Sequence, residues 1–251
     1  MAARVQSIDR AVEILDCFMQ NNELRLTEIV EMTGYHKSTV FGLVSTLKYH
    51  GLIDQDETSQ KYRLGIAFLG YSDRVRNSLD IVDIASPIMR DICDKIQETV
   101  HLGLLRGKSV IYIEKIESNQ SIRIASAVGM SNPAYCTGVG KVLLSGIPNA
   151  ALSAHIPAVL EKRTPKTITS VSQLYDELDT IRKDGFGYDR EEMEAGLYCV
   201  AFPIFDFYGK TAYAISVSGP SFRMEGKKEQ AFDLLRKGSQ LISAKLGYTA
   251  K

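Results

Sequence analysis

The sequence predicts an α+β protein, in which a mostly helical N-terminal part precedes a part built on a mostly antiparallel sheet. Apolar residues recur at helical spacing over roughly the first 97 residues. From Thr99 the apolar period changes to two, and Gly107-Lys108 separates two alternating segments as in a two-residue hairpin. Helical and strand segments follow one another from there to the C-terminus, which favours an α+β fold. A chain of 251 residues is long enough for one or two domains.

The first predicted helix covers residues 7–22, with Ser7 as its N-cap. A short strand at residues 24–26 is expected to pair with a later hairpin, and Thr27 is expected to cap the second helix. The apolar residues predicted to face the core from these two helices are Ile8, Ala11, Val12, Leu15, Phe18, Met19, Ile29, Val30 and Met32.

A glycine-bearing turn, Thr33-Gly34-Tyr35, joins the second helix to a third one predicted at residues 37–50. Two short amphipathic helices joined in this way are typical of a helix-turn-helix. Gly51 ends the third helix, and two short strands are predicted around residues 54–60, as in a β-wing. The third helix is expected to bury one apolar stripe, made of Val40, Leu43, Val44 and Leu47. Together these features predict a winged helix-turn-helix over residues 1–65.

The face of the third helix opposite its apolar stripe carries no carboxylate, since Asp and Glu are absent from Met32 to Ile53. Small hydroxyls and lysines without carboxylates suit a helix that lies against phosphates and base edges. A helix-turn-helix pattern alone is a weak signal, so a helical hairpin that only packs is the alternative. The residues predicted to contact DNA are Lys37, Ser38, Thr39, Phe41, Gly42, Ser45, Thr46 and Lys48.

The charge balance gives no support to nucleic-acid binding, because 30 basic residues face 30 acidic ones. Residues 1–65 hold seven basic and nine acidic residues, a net charge of −2. A DNA-binding head with this balance must keep its acids on the first two helices and in the wing. Modest affinity per head and dependence on dimerisation are therefore expected.

The chain shows no secretory signal, no apolar run of the ~20 residues that a membrane helix needs, and no C-x-x-C motif. Its four cysteines, at positions 17, 93, 136 and 199, are widely spaced, which fits a reducing cytoplasm better than a disulfide framework. The prediction is a cytoplasmic protein without membrane contact and without a cofactor or metal.

The remainder of the chain divides into a linker helix at residues 66–80 and a C-terminal domain at residues 81–251. Pro87 is expected to restart or kink the helix predicted at residues 81–97. The other predicted elements are strands at residues 99–106, 109–116, 121–126, 198–206 and 211–218, and helices at residues 150–156, 171–184 and 225–246.

Several motifs, in order and at the right separations, make the chain resemble the IclR family of bacterial transcriptional regulators over about residues 7–247. They are S-I-D-R-A-V-E-I-L, K-S-T-V-F-G-L-V-S-T-L, Y-R-L-G, C-T-G-V-G-K-V-L-L-S, G-Y-D-R-E-E-M-E-A-G and A-I-S-V-S-G-P. The resemblance implies a winged helix head, a GAF-like effector domain with an antiparallel sheet, and homodimers that often pair into tetramers. It also implies a small carboxylate effector, with sugar acids suggested by the C-T-G-V-G-K segment.

One position departs from the family pattern, which usually has Arg before the residue matching Leu43, where this chain has Gly42. An arginine there would contact a phosphate or a base, and glycine costs about 1 kcal/mol in a helix interior. The operator sequence therefore cannot be carried over from the family.

A glycine-rich turn at Gly138-Val139-Gly140-Lys141 enters a helix, and such a helix start offers free backbone N–H groups to an anion. In the resembled family, matching positions line the effector pocket; here they are Gly138, Val139, Asp189, Cys199, Ser216 and Ser218. Ordinary structural roles remain open for each of them, such as a tight turn, a turn cap or core packing. Weaker candidates for an apolar wall, with core packing as the alternative, are Leu105, Ile113, Ile124 and Met130.

The sequence thus favours a ligand-responsive regulator, a repressor rather than an activator, that is not an enzyme. Its predicted partners are double-stranded operator DNA, a small carboxylate effector and further copies of the chain, as a dimer or a dimer of dimers. An enzyme with Cys199 as nucleophile is the first alternative, although none of the four histidines sits in a Cys-His motif. A redox or metal sensor is the second, although no spacing resembles a zinc site.

Overall fold

The computed structural model describes residues 5–19, 21–78, 80–122 and 124–249. The chain divides into two compact units, Met1–Leu79 and Asp80–Lys251. No helix within these described ranges is long and apolar enough to cross a membrane.

The first unit is helical except for a small hairpin and carries the predicted helix-turn-helix. Gly34 ends the second helix in the left-handed conformation, with φ of +69°, which a glycine adopts without strain. The two wing strands pair antiparallel, and Leu24 forms the expected bridge to Tyr62. The elements are α1 (Gln6–Asp16), α2 (Leu26–Thr33), α3 (Lys37–Tyr49), β1 (Ile53–Gln55), β2 (Tyr62–Leu64) and α4 (Ala67–Ser78).

The core of this unit joins all three helices of the head to the wing. Its buried members are Ile14, Cys17, Phe18, Leu24, Ile29, Val40, Val44, Leu47, Ile53 and Tyr62. The predicted stripe of α3 is confirmed, with Leu43 packed at its edge. The other face of α3 is left free of core contacts and turned to solvent.

The prediction for α1 was partly wrong. The helix begins after Val5 rather than Ser7 and ends at Asp16, followed by a short 3-10 turn at Cys17–Met19. The Asn21 side chain donates a hydrogen bond to the carbonyl of Cys17, which satisfies the helix end before residue 22. The buried stripe is also rotated from the predicted one: Ile14 is fully buried, whereas Ile8, Val12, Met19 and, on α2, Met32 are exposed.

The second unit is a six-stranded antiparallel sheet between two helical layers. The strand order is β5-β4-β3-β8-β7-β6, and every neighbouring pair is antiparallel, as predicted. The strands are β3 (Thr99–Arg106), β4 (Ser109–Ile116), β5 (Ser131–Pro133), β6 (Gly187–Arg190), β7 (Leu197–Phe205) and β8 (Thr211–Pro220). The helices are α5 (Ile81–Ile96), α6 (Gly138–Ser145), α7 (Asn149–Leu152), α8 (Val171–Asp184), α9 (Ser221–Met224) and α10 (Lys228–Lys245).

Alternation along the strands divides this unit into two cores, one on each face of the sheet. Val200 and Val217 face α5 and α10, whereas Ala201 and Ala214 face α6 and α8. Cys199, Ser216 and Ser218 share the parity of Ala201 and Ala214 along their strands and therefore lie on the α6 face. That face carries the candidate site.

Four further predictions for this unit were wrong in whole or in part. At Pro87 the predicted restart is wrong, because helix α5 continues through it, with the hydroxyl of Ser86 donating to the carbonyl of Val82; the kink stays a prediction. Residues 121–122 and 124–126 form no strand, because the ammonium of Lys115 binds the carbonyls of Ile124 and Ser126 in place of a sheet ladder; Arg123 lies outside the described residues. The helix at residues 150–156 is only α7, and the last long helix begins at Lys228 rather than residue 225.

Candidate functional site

The solvent-facing side of α3 presents the residues predicted to contact DNA. Thr39 is half-buried, and the others are exposed: Lys37, Ser38, Phe41, Gly42, Ser45, Thr46 and Lys48. The large apolar side chain of Phe41 is 57% exposed, and no acidic residue lies in the first turn of the helix. The surface therefore combines two ammonium groups, several hydroxyls and one exposed aromatic ring on a single helix.

Contacts at the end of α3 fix how this surface continues into the wing. The ammonium of Lys48 donates to the side-chain carbonyl of Gln55 on β1 at 3.0 Å. In the wing, Arg63 pairs with Asp54 at 3.0 Å, and Asp56 accepts from the backbone N–H groups of its own turn. Asp54 and Asp56 are thus engaged within the wing by Arg63 and by backbone N–H groups.

Gly42 occupies open space on α3. A Cβ added at this position would meet no atom within 4 Å. Its carbonyl accepts a hydrogen bond from the hydroxyl of Thr46 at 2.9 Å. Packing within the first unit therefore does not require glycine at this position.

The second unit encloses a cavity of about 80 Å³ on the α6 face of the sheet. Five of the six predicted effector residues line it: Gly138, Val139, Asp189, Cys199 and Ser218. Ser216 is buried opposite His101 in the β3–β8 ladder and is not part of the lining. Of the weaker candidates, Ile124 and Met130 line the cavity, whereas Leu105 and Ile113 pack against the two cores.

The start of α6 forms one wall of the cavity. Thr137 caps the helix, and its hydroxyl accepts from the N–H of Gly140 at 3.2 Å. The leading N–H groups, of Gly138 and Val139, have no acceptor within the helix. A Cβ on Gly140 would lie 2.2 Å from the carbonyl oxygen of Ala134, so this tight turn requires glycine.

Asp189 is the buried acid of the cavity. One carboxylate oxygen, Oδ1, accepts from the N–H of Glu192 at 2.7 Å and from that of Met193 at 3.4 Å. Burial raises the pKa of Asp189 to about 7, and the carboxylate of Glu192 adds to this, while the two backbone bonds and Lys141 oppose it. Both protonation states are therefore accessible near neutral pH.

His101 and Tyr112 are cavity residues that the sequence analysis missed. The His101 ring lies 4.7 Å from the Tyr112 ring, and its Nε2 shares a hydrogen bond of 2.7 Å with the Ser126 hydroxyl. Its Nδ1 has no hydrogen-bond partner within the described part of the chain. Burial lowers the pKa of His101 to about 3, so the ring is neutral. No local sequence signal could have found His101, because it is the pairing of β3 with β8 that places it opposite Ser216.

Cys199 is a protonated thiol at this site. Burial raises its pKa to about 12, and the carboxylate of Asp189 adds to the effect. A nucleophilic cysteine needs the thiolate, so this environment disfavours the Cys-dependent enzyme. All four cysteines are buried and free, and within the described ranges no cluster of three or more His, Cys, Asp or Glu could hold a metal ion.

Lys141, Glu177 and Glu192 form a buried ion triad next to the cavity. The ammonium of Lys141 on α6 lies 2.8 Å from Glu177 on α8 and 2.5 Å from Glu192. Lys141 is fully buried, and Glu192 adjoins the segment that carries Met193 and Glu194 into the lining. This triad joins two helices and the segment after β6.

Comparison with known proteins agrees with both units. The family model for the bacterial transcriptional regulator IclR C-terminal domain matches residues 74–244, and that for the IclR helix-turn-helix domain matches residues 7–57. The HTH-type transcriptional regulator KdgR of Escherichia coli (strain K12) is 35% identical, over 97% of this chain and 94% of that protein. XynR, an HTH-type transcriptional regulator from the same organism, is 34% identical over 98% of this chain and 99% of its own length.

A solved structure extends the agreement to the fold. The Agobacterium tumefaciens repressor BlcR superposes with a TM-score of 0.81 at 27% identity, over 99% of this chain and 100% of that one. The matching families and relatives are transcriptional regulators and not enzymes. With a helix-turn-helix at one end, a sheet domain at the other and full-length relatives at this identity, the chain belongs to the IclR family of bacterial transcriptional regulators.

Proposed function

We propose that this protein is a cytoplasmic repressor that binds double-stranded operator DNA through α3 and releases it, or binds it more tightly, when a small carboxylate occupies the cavity. The DNA-contacting residues are the exposed set on α3 from Lys37 to Lys48 defined above. The effector-contacting residues are Gly138, Val139, Asp189, Cys199 and Ser218, with Ser216 in supporting contact behind them. Repression is favoured by the similarity to BlcR, which is itself a repressor.

The observation that carries the DNA-binding proposal is the acid-free outer face of α3. Two lysines and several hydroxyls lie on a helix whose apolar side is anchored in the head core. Such a helix can enter the major groove with its polar face on phosphates and base edges. Because the head carries a net charge of −2, we propose that it works as a homodimer or a dimer of dimers, in which two or more heads add their contacts.

The carboxylate proposal rests on the donors that converge in the cavity. The leading N–H groups of α6 and the hydroxyl of Ser218 can bind an anion without a lysine or arginine. The cavity of about 80 Å³ lies below the roughly 300–1,000 Å³ usual for drug-sized ligands, so acids of a few carbons fit it best. A six-carbon sugar acid requires the lining to move outward. Binding then shifts the population of head arrangements through α4.

The test is DNA binding by the purified protein to the region upstream of its own gene, titrated with salt and compared with an unrelated fragment. Saturable, preferential binding with a steep negative salt slope is expected. Lys37→Ala should weaken binding and lower the slope by about one, whereas Lys162→Ala, an exposed lysine of the second unit, should change neither. A panel of hydroxy, keto and sugar acids added to the same reaction should change the affinity. Equal binding to both fragments at every salt concentration would contradict the proposal.

A further inference from the structure

The cavity poses an electrostatic problem for the anion that the proposed function places in it. Its lining includes two acids, Asp189 and Glu194, and no lysine or arginine among the residues the structure describes. Gly138, at the anion-binding start of α6, lies directly against Asp189: a Cβ on Gly138 would be 3.2 Å from the Asp189 nitrogen. An effector carboxylate bound there would share an enclosed space with the carboxyl group of Asp189.

The groups around Asp189 do not neutralise a second negative charge. On the neighbouring strands, Cys199, Ser218, Tyr112 and His101 are neutral, because burial raises the pKa of the thiol and the phenol and lowers that of the imidazole. Cys136, before α6, is a neutral thiol for the same reason. From the segment after β6 come the two acids Glu192 and Glu194. Two cations lie nearby, and both are already paired. Lys141 of α6 is bound to Glu177 and Glu192. Lys115 of β4 is bound to Glu117 and to the carbonyls of Ile124 and Ser126.

The hydrogen bonds of Asp189 show which of its two carboxyl oxygens can contact a bound ligand. Oδ1 is occupied by the two backbone N–H groups of Glu192 and Met193. This leaves Oδ2 for the cavity, where it can either repel an anion as a carboxylate or donate to it as a carboxylic acid. Two carboxylates that share one enclosed site commonly hold one proton between them.

We propose that the effector carboxylate binds together with one proton, which is held on Oδ2 of Asp189 and donated in a hydrogen bond to the bound anion. The proton comes from hydronium or a buffer acid, whose bond to that hydrogen breaks as an O–H bond forms on Oδ2, and Asp189 changes from carboxylate to carboxylic acid. This inference rests on the proposed function and adds the proton linkage to it. The pKa of Asp189, raised to about 7 by burial in the free protein, puts the uptake within the range of ordinary assays.

The pH dependence follows from the sign of the linkage. Below about pH 7, Asp189 already holds its proton, so affinity is flat and uptake is small. Above about pH 7, the affinity for the acid falls by about tenfold per pH unit, until the pH reaches the pKa of Asp189 in the complex. Over that range, the uptake approaches one proton per bound acid.

The experiment is titration calorimetry of the full-length protein with pyruvate, D-lactate, D-glycerate and D-gluconate. At pH 6 and again at pH 8, each acid is titrated in two buffers that differ in ionisation enthalpy. The difference between the heats of binding observed in the two buffers gives the number of protons taken up. An acid that binds the wild type with uptake near one proton at the higher pH supports the inference. Asp189→Asn, whose amide is a permanent donor, should bind the same acid with no uptake and with little pH dependence. Asp184→Asn, an exposed acid at the end of α8, should behave like the wild type.

A second measurement does not depend on the variant folding. The amide of the best acid, for example lactamide in place of lactate, carries no charge and should bind the wild type without proton uptake. Binding of an acid with no uptake at any pH, or uptake that persists in Asp189→Asn, would overturn the proton linkage and leave the proposed function standing. If none of the acids binds at either pH, the proton linkage and the carboxylate effector are both overturned, whereas DNA binding is decided by the salt titration described above.

Discussion

Both units of this protein carry exposed ion pairs, but the second unit also buries charged side chains. In the first unit the ion pairs lie on the surface: Arg63 with Asp54 and Lys61 with Glu23 are each about half exposed or a little less. In the second unit, Lys141 and Glu98 are buried almost completely, each with two partners of opposite charge. Exposed pairs contribute little to stability, whereas a buried charge depends on its partners.

Because of this difference, the residues for DNA binding and those for stability are separate in the first unit. In the second unit, the same residues should affect both ligand binding and stability. The face of α3 lies outside the head core, so substitutions there should change DNA binding while the fold stays intact. The cavity wall in the second unit is held by the buried Lys141 triad, so substitutions at the triad should change stability and ligand binding together.

The largest effect is expected for Lys141→Met. The change removes the cation and leaves the carboxylates of Glu192 and Glu177 facing one another, 8% and 25% exposed. Breaking a buried ion pair from one side costs about 3–5 kcal/mol. Urea denaturation followed by near-ultraviolet circular dichroism should show this loss in the second unit. The double variant Lys141→Met/Glu192→Gln should recover part of it, and a single-variant loss below about 1 kcal/mol would show that the triad is not a structural device.

The next effect is expected for Glu98→Gln. The Glu98 carboxylate accepts two bonds of 2.8 Å from Arg223 and one of 2.9 Å from Lys227. Because the two cations are themselves partly exposed, the loss should be smaller, about 1.5–3 kcal/mol. Burial opposes the ionisation of Glu98, but the bonds from Arg223 and Lys227 outweigh it and lower its pKa. The stabilisation is therefore present above the unfolded-state pKa and lost as the pH falls through the folded-state value.

A pH series of thermal unfolding checks that sign. The melting temperatures of the wild type and Glu98→Gln should differ most at neutral pH and converge in acid.

Asp189→Asn provides the opposite case in the same unit. Because its folded-state pKa is raised, wild-type Asp189 loses stability as the pH rises from about 4 to about 7, so the advantage of the asparagine variant should grow over that range and level off above pH 7. A constant difference across the whole range would contradict both assignments.

The comparison also explains how far the sequence could predict the molecule. Helix α3 and the β3–β4 hairpin followed the prediction closely, because a glycine turn and an alternating pattern are local signals. The stripe of α1 did not, because packing against α3 decides which of several apolar residues is buried, and Ile14 is that residue. His101 was missed because β3 pairs with β8, more than 100 residues away in sequence, and only that pairing brings the ring to the cavity.

A third prediction tests the surface of the first unit. Gly42→Arg should raise the free energy of unfolding of the head by up to about 1 kcal/mol, since arginine is a much better helix former than glycine. The position is open, so no contact opposes the change. If α3 lies in the major groove, the arginine should also make the slope of log K for operator binding against log salt concentration more negative by about one. Gly42→Ala is the matched control, with the gain in stability and no change in salt slope.

The smallest effect is expected for the exposed Arg63–Asp54 pair. Asp54→Asn removes an exposed charge whose pKa is held below its ordinary value, first by the hydrogen bond from Arg63 and also by the nearby ammonium of Lys48. Thermal unfolding should stay within experimental error of the wild type, because solvent and salt screen exposed pairs. Operator affinity should nevertheless rise, most at low salt, because a wing next to α3 loses a negative charge and Arg63 is released toward the phosphates. A loss of stability without this gain in affinity would mean that the pair serves the fold of the head, and the separation of function from stability would fail there.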